Sequence, residues 1–294
     1  PMKPDDARYR GWNERLRPSW FACWPVARTG LLLIIRFKIF WVVLALAALN
    51  FFFLFTTIYL KAQIASQNPG LRRFVDRVLA NVTGTGETYR DFMFAQGTVT
   101  MLLLALAGAT LVGDDVRSGG LTFYLSRRID RWHYLVGKLF SIGLLVSFTT
   151  TLPALILYYE YGMLTDSMTY FRDNSRIFLG ILGYGLTLSV VLSCLLFAVA
   201  SWLPRTVPLV MAWVGVFAFL PATGRLLREA FDDRRWLLLG LWRDVQLVGT
   251  WCFGGIDTER EQELIHPAMC IVAAVCVASL LVSIPRLRGA KVIA

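Results

Sequence analysis

The stretch of sequence that decides the fold runs from Ile39 to Leu60 and reads IFWVVLALAALNFFFLFTTIYL. It contains no charged side chain, and it meets the roughly 20 apolar residues that an α-helix needs to cross about 30 Å of hydrocarbon. A single Arg at the centre of such a helix would cost roughly 2.5–3.5 kcal/mol on the insertion scale. The stretch is therefore predicted to be a membrane-spanning helix.

Five further stretches without charged residues follow, and each meets or approaches the same length. They are residues 92–113, 139–159, 177–203, 206–224 and 267–285. The 294-residue chain is 56% hydrophobic with a mean hydropathy of +0.55, which is more than one soluble core would bury. These stretches are apolar all round, whereas the strands of a transmembrane barrel alternate in character. We therefore predict an all-α membrane protein with six transmembrane helices.

The distribution of charged residues predicts the orientation in the membrane. If the N-terminus is inside, the inner segments hold 17 Lys and Arg and the outer segments hold 13, while acidic residues divide 6 inside and 14 outside. Cytoplasmic loops generally carry the excess of Lys and Arg. We therefore expect a multi-pass protein of the cell (inner) membrane with both termini in the cytoplasm. The net charge of +10 then reflects membrane orientation, and no nucleic-acid partner is expected.

Two segments outside the spans are predicted to lie at the membrane surface. Residues 19–38 mix aromatic residues with three cations, and an interfacial helix is favoured over an extension of the first span because Pro25 and the cations oppose a continuous span. Residues 225–266 contain an apolar run, Trp236 to Trp242, which is too short to span and forms either an interfacial helix or a re-entrant hairpin. The predicted organisation is a cytoplasmic N-terminus with its interfacial helix (residues 1–38), a six-span domain (39–285) and a cytoplasmic tail (286–294).

The predicted spans limit the ways in which the protein could obtain energy. None of the six stretches contains Asp, Glu, Lys, Arg or His, which argues against ion-coupled carriers and intramembrane hydrolases, although unwound backbone carbonyls can bind ions without carboxylates. The chain has no G-x-x-x-x-G-K-[ST] loop for a nucleotide and no C-x-x-C or Cys/His pair for a metal. It is predicted not to be an enzyme and to bind no cofactor or metal itself. Any work must be supplied by another protein.

The loop after the second span is where such work could enter. Four of its residues fall at the i, i+3, i+4 and i+7 positions of a helix: Leu121, Tyr124, Leu125 and Arg128. Gly119 and Gly120 interrupt the preceding helix. The pattern fits a short helix over residues 120–128, parallel to the membrane, that could pass a push from a cytosolic partner into two spans. It fits an ordinary amphipathic loop equally well.

The sequence of this loop resembles the coupling-helix signature of type-two ABC exporter permeases. That signature reads acidic-x-Arg-x-x-Gly-x-Leu, then Leu-Ser-x-Pro-x-x-Arg-x-x-Tyr-x-x-Gly-Lys. The matching residues are Asp115-Val-Arg117-Ser-Gly-Gly120-Leu121, Leu125-Ser126, Arg131, Tyr134 and Gly137-Lys138. The match covers about residues 113–140 and departs at Arg128, where the family usually has Pro, so the end of the helix is expected to differ.

The resemblance implies a function and a set of partners. A permease of this family pairs with a second permease copy or a paralogue, and it exports substrate with ATP and Mg on two copies of a separate ABC ATPase subunit. The ATPase-coupling residues that it implies are Asp115, Arg117, Gly120, Leu121, Tyr124, Leu125, Ser126 and Arg127. The alternative function is a non-transporting membrane scaffold or mechanical signal relay coupled to the same kind of ATPase.

Polar residues inside the first two spans are candidates for a translocation path. They are Asn50, Thr57, Gln96 and Thr100. Their alternative role is hydrogen bonding between helices, which is slightly favoured and contributes on average roughly 0.6 kcal/mol for each bond. The sequence leaves the identity of any substrate open.

Overall fold

The computed structural model describes residues 19–67, 84–118, 120, 130–165, 167–255 and 259–288. Within these ranges the chain is helical and contains no β-strand. A 3₁₀ turn at Ser19–Ala22 leads into the first helices, α1 (Cys23–Ile35), α2 (Lys38–Gln67) and α3 (Gly86–Arg117). The next helices are α4 (Arg131–Thr149), α5 (Thr151–Leu164), α6 (Ser167–Asp173) and α7 (Ser175–Trp202). The last are α8 (Thr206–Phe231), α9 (Leu241–Phe253) and α10 (Glu259–Arg288).

Six helical segments among the described residues are long and apolar enough to cross a membrane. They are Lys38–Lys61, Gly86–Arg117, Arg131–Leu164, Ser175–Trp202, Thr206–Phe231 and Gln262–Arg286. The predicted all-α fold with six apolar spanning segments is therefore confirmed, and the protein is built as a multi-pass membrane protein. The helices extend beyond the charge-free stretches at most of their ends, because a helix continues as long as its backbone hydrogen bonds are satisfied, even where charged side chains begin.

The third spanning segment is interrupted near its middle. Helix α4 ends at Thr149 and α5 begins at Thr151, and the residue between them, Thr150, has φ −115° and ψ −62°. The interruption precedes Pro153, whose ring cannot be accommodated against the carbonyl group four residues earlier in a regular helix. Thr150 is fully buried and its hydroxyl donates a hydrogen bond to the Val146 carbonyl at 2.7 Å. The Val146 carbonyl also accepts the Thr150 backbone N–H at 2.9 Å, so the helical hydrogen bond is kept up to the interruption.

Helices α3 and α7 form the centre of the bundle. In its most apolar window α7 is 67% buried, whereas α2 is 11% buried. The buried aromatic residues Tyr184 and Phe197 lie on α7. A hydrogen bond connects the peripheral helix α8 to this centre, since the Trp213 indole on α8 donates to the Met101 carbonyl on α3 at 3.1 Å. Helices α2 and α8 therefore leave most of their apolar surface on the outside of a single chain, where lipid or another protein can cover it.

Helix α1 is separate from the first span and packs against α4. It ends at Ile35, and α2 begins three residues later at Lys38. A Cβ added to Gly137 would lie 2.8 Å from the Cβ of Val26, so the missing side chain permits the close approach of the two helices. The placement of α1 at a membrane surface stays a prediction.

The two ends of the bundle differ in construction. The end that we call the motif end contains residues 113–118, 120 and 130–131 and the α7–α8 turn, and the opposite, hairpin end contains residues 231–255. The α7–α8 turn consists of Leu203, Pro204 and Arg205. A Cβ on Gly113 would lie 2.5 Å from the Pro204 carbonyl oxygen, so this turn contacts the end of α3.

The hairpin end is closed by a folded segment between the fifth and sixth spans. Helix α8 ends at Phe231, and the next residue, Asp232, has a left-handed conformation (φ 52°). A 3₁₀ turn over Arg234–Leu239 then precedes α9. Helix α9 packs on the bundle core, because a Cβ on Gly249 would lie 2.6 Å from the Tyr184 ring. The apolar run Trp236–Trp242 is thus divided between two elements. The placement of this segment at or in the membrane stays a prediction.

Candidate functional site

A buried charged cluster joins α3 to α4 at the motif end. The Lys138 ammonium group lies 2.7 Å from Asp115 Oδ2, and it also donates to the Leu111 carbonyl at 2.6 Å. The Tyr134 hydroxyl donates to the same Asp115 oxygen at 3.0 Å. Lys138 and Tyr134 are each 1% exposed. We call Asp115, Tyr134 and Lys138 the charged cluster.

The local backbone explains why these side chains meet. Tyr134 and Lys138 are four residues apart on α4 and therefore share one face. On α3 the residues before the acid form a π-helical turn, Ala109–Gly113, in which the hydrogen-bond register shifts by one residue. The Leu111 carbonyl that accepts from Lys138 lies inside this turn. The extra residue of the π-helical turn thus orients both the Leu111 carbonyl and Asp115 toward α4.

The charged cluster fixes the two helix ends from which the predicted coupling loop emerges. A buried ion pair stabilises a fold little more than a well-packed apolar pair would. Removal of one charged partner nevertheless costs roughly 3–5 kcal/mol, because the other charge stays in the core. The Asp115 side chain is 18% exposed, so the cluster lies at the edge of the core. The two helix ends can therefore move apart only if the contacts of the charged cluster break.

The other residues of the motif lie near the charged cluster or fall outside the described part of the chain. Arg117 is exposed and lies 3.6 Å from Asp114, a weak surface pair. A Cβ on Gly120 would make only ordinary contacts with the described residues, the nearest at 3.5 Å. The predicted coupling residues outside the described part of the chain are Leu121, Tyr124, Leu125, Ser126 and Arg127. The predicted helix over 120–128 falls, apart from its first residue, in the same undescribed segment.

Two neighbouring elements support the charged cluster. Gly137, which lies between Tyr134 and Lys138 on α4, is close to α1, since a Cβ there would lie 2.9 Å from the Cys23 carbonyl oxygen. Gly113 is equally close to the turn at Pro204. The motif end is therefore the place where α1, α3, α4 and the α7–α8 turn meet.

The candidate path residues occupy helix contacts within the single chain. Gln96 donates to the Ala47 carbonyl on α2 at 2.9 Å, and Thr100 lies 2.7 Å from the Thr149 hydroxyl on α4. Both Gln96 and Thr100 are 1% exposed. Thr57 donates to the Phe53 carbonyl in its own helix at 2.7 Å. These bonds are the helix-joining arrangement that was the alternative to a path.

Asn50 differs from the other candidate path residues. It is partly exposed, and its amide nitrogen is shielded from water and has no hydrogen-bond partner among the residues that the structure describes. Among the four candidates it is the one whose donor remains available for a further contact.

Two carboxyl groups were not singled out from the sequence. Asp244 on α9 is fully buried, and in the described part of the chain neither of its carboxyl oxygens has a hydrogen-bond partner. Burial raises the pKa of Asp244 from 3.8 to about 7, while the Arg243 charge lowers it. Glu160 on α5 likewise has two shielded oxygens without partners. Its position directly after the charge-free stretch 139–159 was the available signal, because a helix that extends past this stretch must take Glu160 with it.

The described residues contain no group of three or more His, Cys, Asp or Glu side chains that could hold a metal ion. No protein-family model matches the chain, and a search of curated proteins finds no match. The geometry of the motif end and the sequence of its loop therefore carry the functional interpretation.

Proposed function

We propose that the chain is the transmembrane permease subunit of an ATP-driven exporter of the ABC type. The observation that supports this function best is the charged cluster, because Asp115, Tyr134 and Lys138 all belong to the stretch that resembles the coupling-helix signature. Residues of that stretch on either side of the loop meet in space at the roots of two spans. A load applied to the loop would therefore reach α3 and α4 together.

The proposed mechanism uses rigid connections at the motif end. A separate ATPase subunit pushes the loop when it binds and hydrolyses ATP, and the charged cluster passes the displacement to α3 and α4. The close contacts of Gly137 with α1 and of Gly113 with the turn at Pro204 spread it to two further elements. Packed helices shift as units because protein interiors are dense.

The proposed assembly contains two permease copies, or one copy and a paralogue, with two ATPase subunits that hold ATP and Mg. Both termini and the motif end face the cytoplasm, in the inner membrane of the cell. The largely exposed apolar surfaces of α2 and α8 leave room for a second permease. The substrate class is not part of the proposal.

The loop variants Arg127→Ala and Tyr124→Ala are expected to weaken ATPase association or to uncouple hydrolysis from transport. A buried, paired Arg lost at a joint between proteins costs roughly 2–5 kcal/mol, much of it from the partner charge left behind. Both variants should still insert and dimerise, because the spans do not depend on the loop. The measurement is ATPase co-purification, and transport per ATP in proteoliposomes, at equal expression.

Ser167→Ala, in the connection between the third and fourth spans, serves as the control and should behave as wild type. If both loop variants bind the ATPase and transport normally, the loop is an ordinary connector and the proposal fails. If wild type regulates ATP hydrolysis but moves no substrate in any assay, the mechanical relay is the better description.

The proposed orientation predicts the accessibility of single cysteines in a cysteine-free background. Ser118→Cys at the motif end should react with impermeant maleimide only from the cytoplasmic side, and Glu229→Cys at the hairpin end only from outside. Both positions are exposed in the single chain. The measurement is maleimide labelling of sealed cells compared with inverted vesicles. Labelling of Ser118→Cys in sealed cells would show that the orientation is the reverse of the proposed one.

A further inference from the structure

A cleft between α2 and α5 lies toward the hairpin end of the bundle. Its volume is about 470 Å³, and its walls are Phe55, Tyr59, Ile156, Tyr159, Glu160, Met163 and Leu164. The wall residues Tyr59 and Tyr159 are 49% and 47% exposed. The cleft is therefore open at the surface of the single chain, on a face formed by two spanning helices.

One carboxyl group stands among these apolar walls. Both oxygens of Glu160 are shielded from water and have no hydrogen-bond partner among the described residues. No Lys, Arg or His of the described residues forms an ion pair with it. A carboxylate in an apolar membrane environment is costly unless a cation or hydrogen-bond donors meet it. The described residues supply neither at this position.

The walls have the chemistry that attracts an organic cation. The faces of Phe and Tyr rings attract ammonium groups through the ring quadrupole, and aromatic cages for ammonium ligands are built in this way. Three of the seven wall residues are aromatic, and Met163 adds a polarizable thioether. The other walls are aliphatic and suit an alkyl chain. An amphiphile with a positively charged nitrogen matches both parts.

We propose that this cleft binds the ammonium group of an amphiphile, with Tyr59 and Tyr159 as its aromatic walls and with Glu160 as its counter-ion after the carboxyl group turns from its shielded position into the cleft. The alkyl chain of the ligand lies along the apolar surface of α2 and α5. The site does not depend on ATP-driven transport. The ammonium group can belong to the head group of a bilayer lipid or to a separate cationic amphiphile, because both present the same chemistry to Glu160.

The test measures binding of a dansyl-labelled alkyltrimethylammonium to the purified full chain in maltoside micelles, with a neutral dansyl alkyl amide of the same chain length as the comparison. Wild type should bind the ammonium probe at least about tenfold more tightly than the neutral one. Glu160→Gln should remove this preference. Glu87→Gln, an exposed carboxylate at the same end of the bundle, is the matched control and should retain it.

A second pair of variants separates the aromatic wall from folding. Tyr59→Ala should weaken binding of the ammonium probe several-fold, and Tyr59→Phe should not, because the ring face and not the hydroxyl makes the contact. Equal affinity of wild type for the two probes, or a preference that survives in Glu160→Gln, would overturn the proposal. All variants are compared as monodisperse protein on gel filtration.

Competition by lipids then identifies the source of the ammonium group. If phosphatidylethanolamine or phosphatidylcholine displaces the probe and phosphatidylglycerol does not, the occupant is a lipid head group. If none of them displaces it while binding still depends on Glu160, the occupant is a separate amphiphile. Failure of the ATPase-coupling variants to show an effect would leave this result unchanged.

Discussion

Lys138→Met is expected to destabilise the folded protein by roughly 3–5 kcal/mol. The substitution preserves much of the side-chain volume but removes the ammonium group that pairs with Asp115 at 2.7 Å and donates to the Leu111 carbonyl at 2.6 Å. Of its side-chain contacts with Lys138 and Tyr134, Asp115 would keep the hydrogen bond from Tyr134. The measurement is equilibrium unfolding in mixed detergent and SDS micelles, followed by tryptophan fluorescence.

A double-mutant cycle separates the ion pair from packing. Asp115→Leu alone should also destabilise, because it leaves the Lys138 charge in the core, whereas Lys138→Met combined with Asp115→Leu should recover much of the loss. Arg117→Ala is the matched control, since its pair with Asp114 is exposed, and it should change stability by no more than about 0.5 kcal/mol. Additive effects of the two substitutions would show that Asp115 and Lys138 do not act as a pair.

The stability of the protein is expected to fall as pH rises from about 4 to above 7, by up to about 4 kcal/mol through Asp244. In the unfolded chain this carboxyl has its ordinary pKa of 3.8, and burial raises the pKa to about 7 in the folded protein. Between these values the folded state holds a proton that the unfolded state has released. Raising the pH removes this proton, so the stabilisation present at low pH is lost as pH passes through the folded pKa.

Asp244→Asn tests this prediction, because an amide of similar shape cannot ionise. The variant should flatten the pH dependence of the unfolding midpoint between pH 5 and 8, measured in detergent by tryptophan fluorescence. Asp233→Asn on the exposed turn before α9 is the control and should keep the wild-type profile. A profile for Asp244→Asn that matches wild type would show that another group controls the pH response.

The spanning segments could be predicted because the bilayer imposes a length and excludes charge. Stretches such as 39–60 and 206–224 needed no tertiary information, since each is apolar all round and long enough by itself. Helix ends were predicted less well. The charge-free stretch 139–159 excludes Lys138 and Glu160, yet the spanning segment Arg131–Leu164 contains both. The absence of charge from a stretch does not extend to the whole helix that contains it.

The charged cluster shows where sequence reasoning was incomplete. Asp115, Tyr134 and Lys138 were recognised as parts of one motif, but the spacing of 19 residues between Asp115 and Tyr134 could not show that their side chains touch. That contact requires the π-helical turn before Asp115 and the packing of α4 beside α3. The motif pattern carries no signal for a π turn, because a single added residue in a helix leaves composition and hydropathy unchanged.

The sequence by itself determined that this protein is helical and crosses a membrane about six times, because hydrophobic length and the cost of buried charge act on each segment separately. Only the tertiary structure decided which polar groups are paired. It gave Lys138 the partner Asp115, and among the described residues it left the shielded carboxyl oxygens of Asp244 and Glu160 without a hydrogen-bond partner. Pairing depends on neighbours from distant parts of the chain, and the energy of a buried charge depends on those neighbours more than on its own position in the sequence.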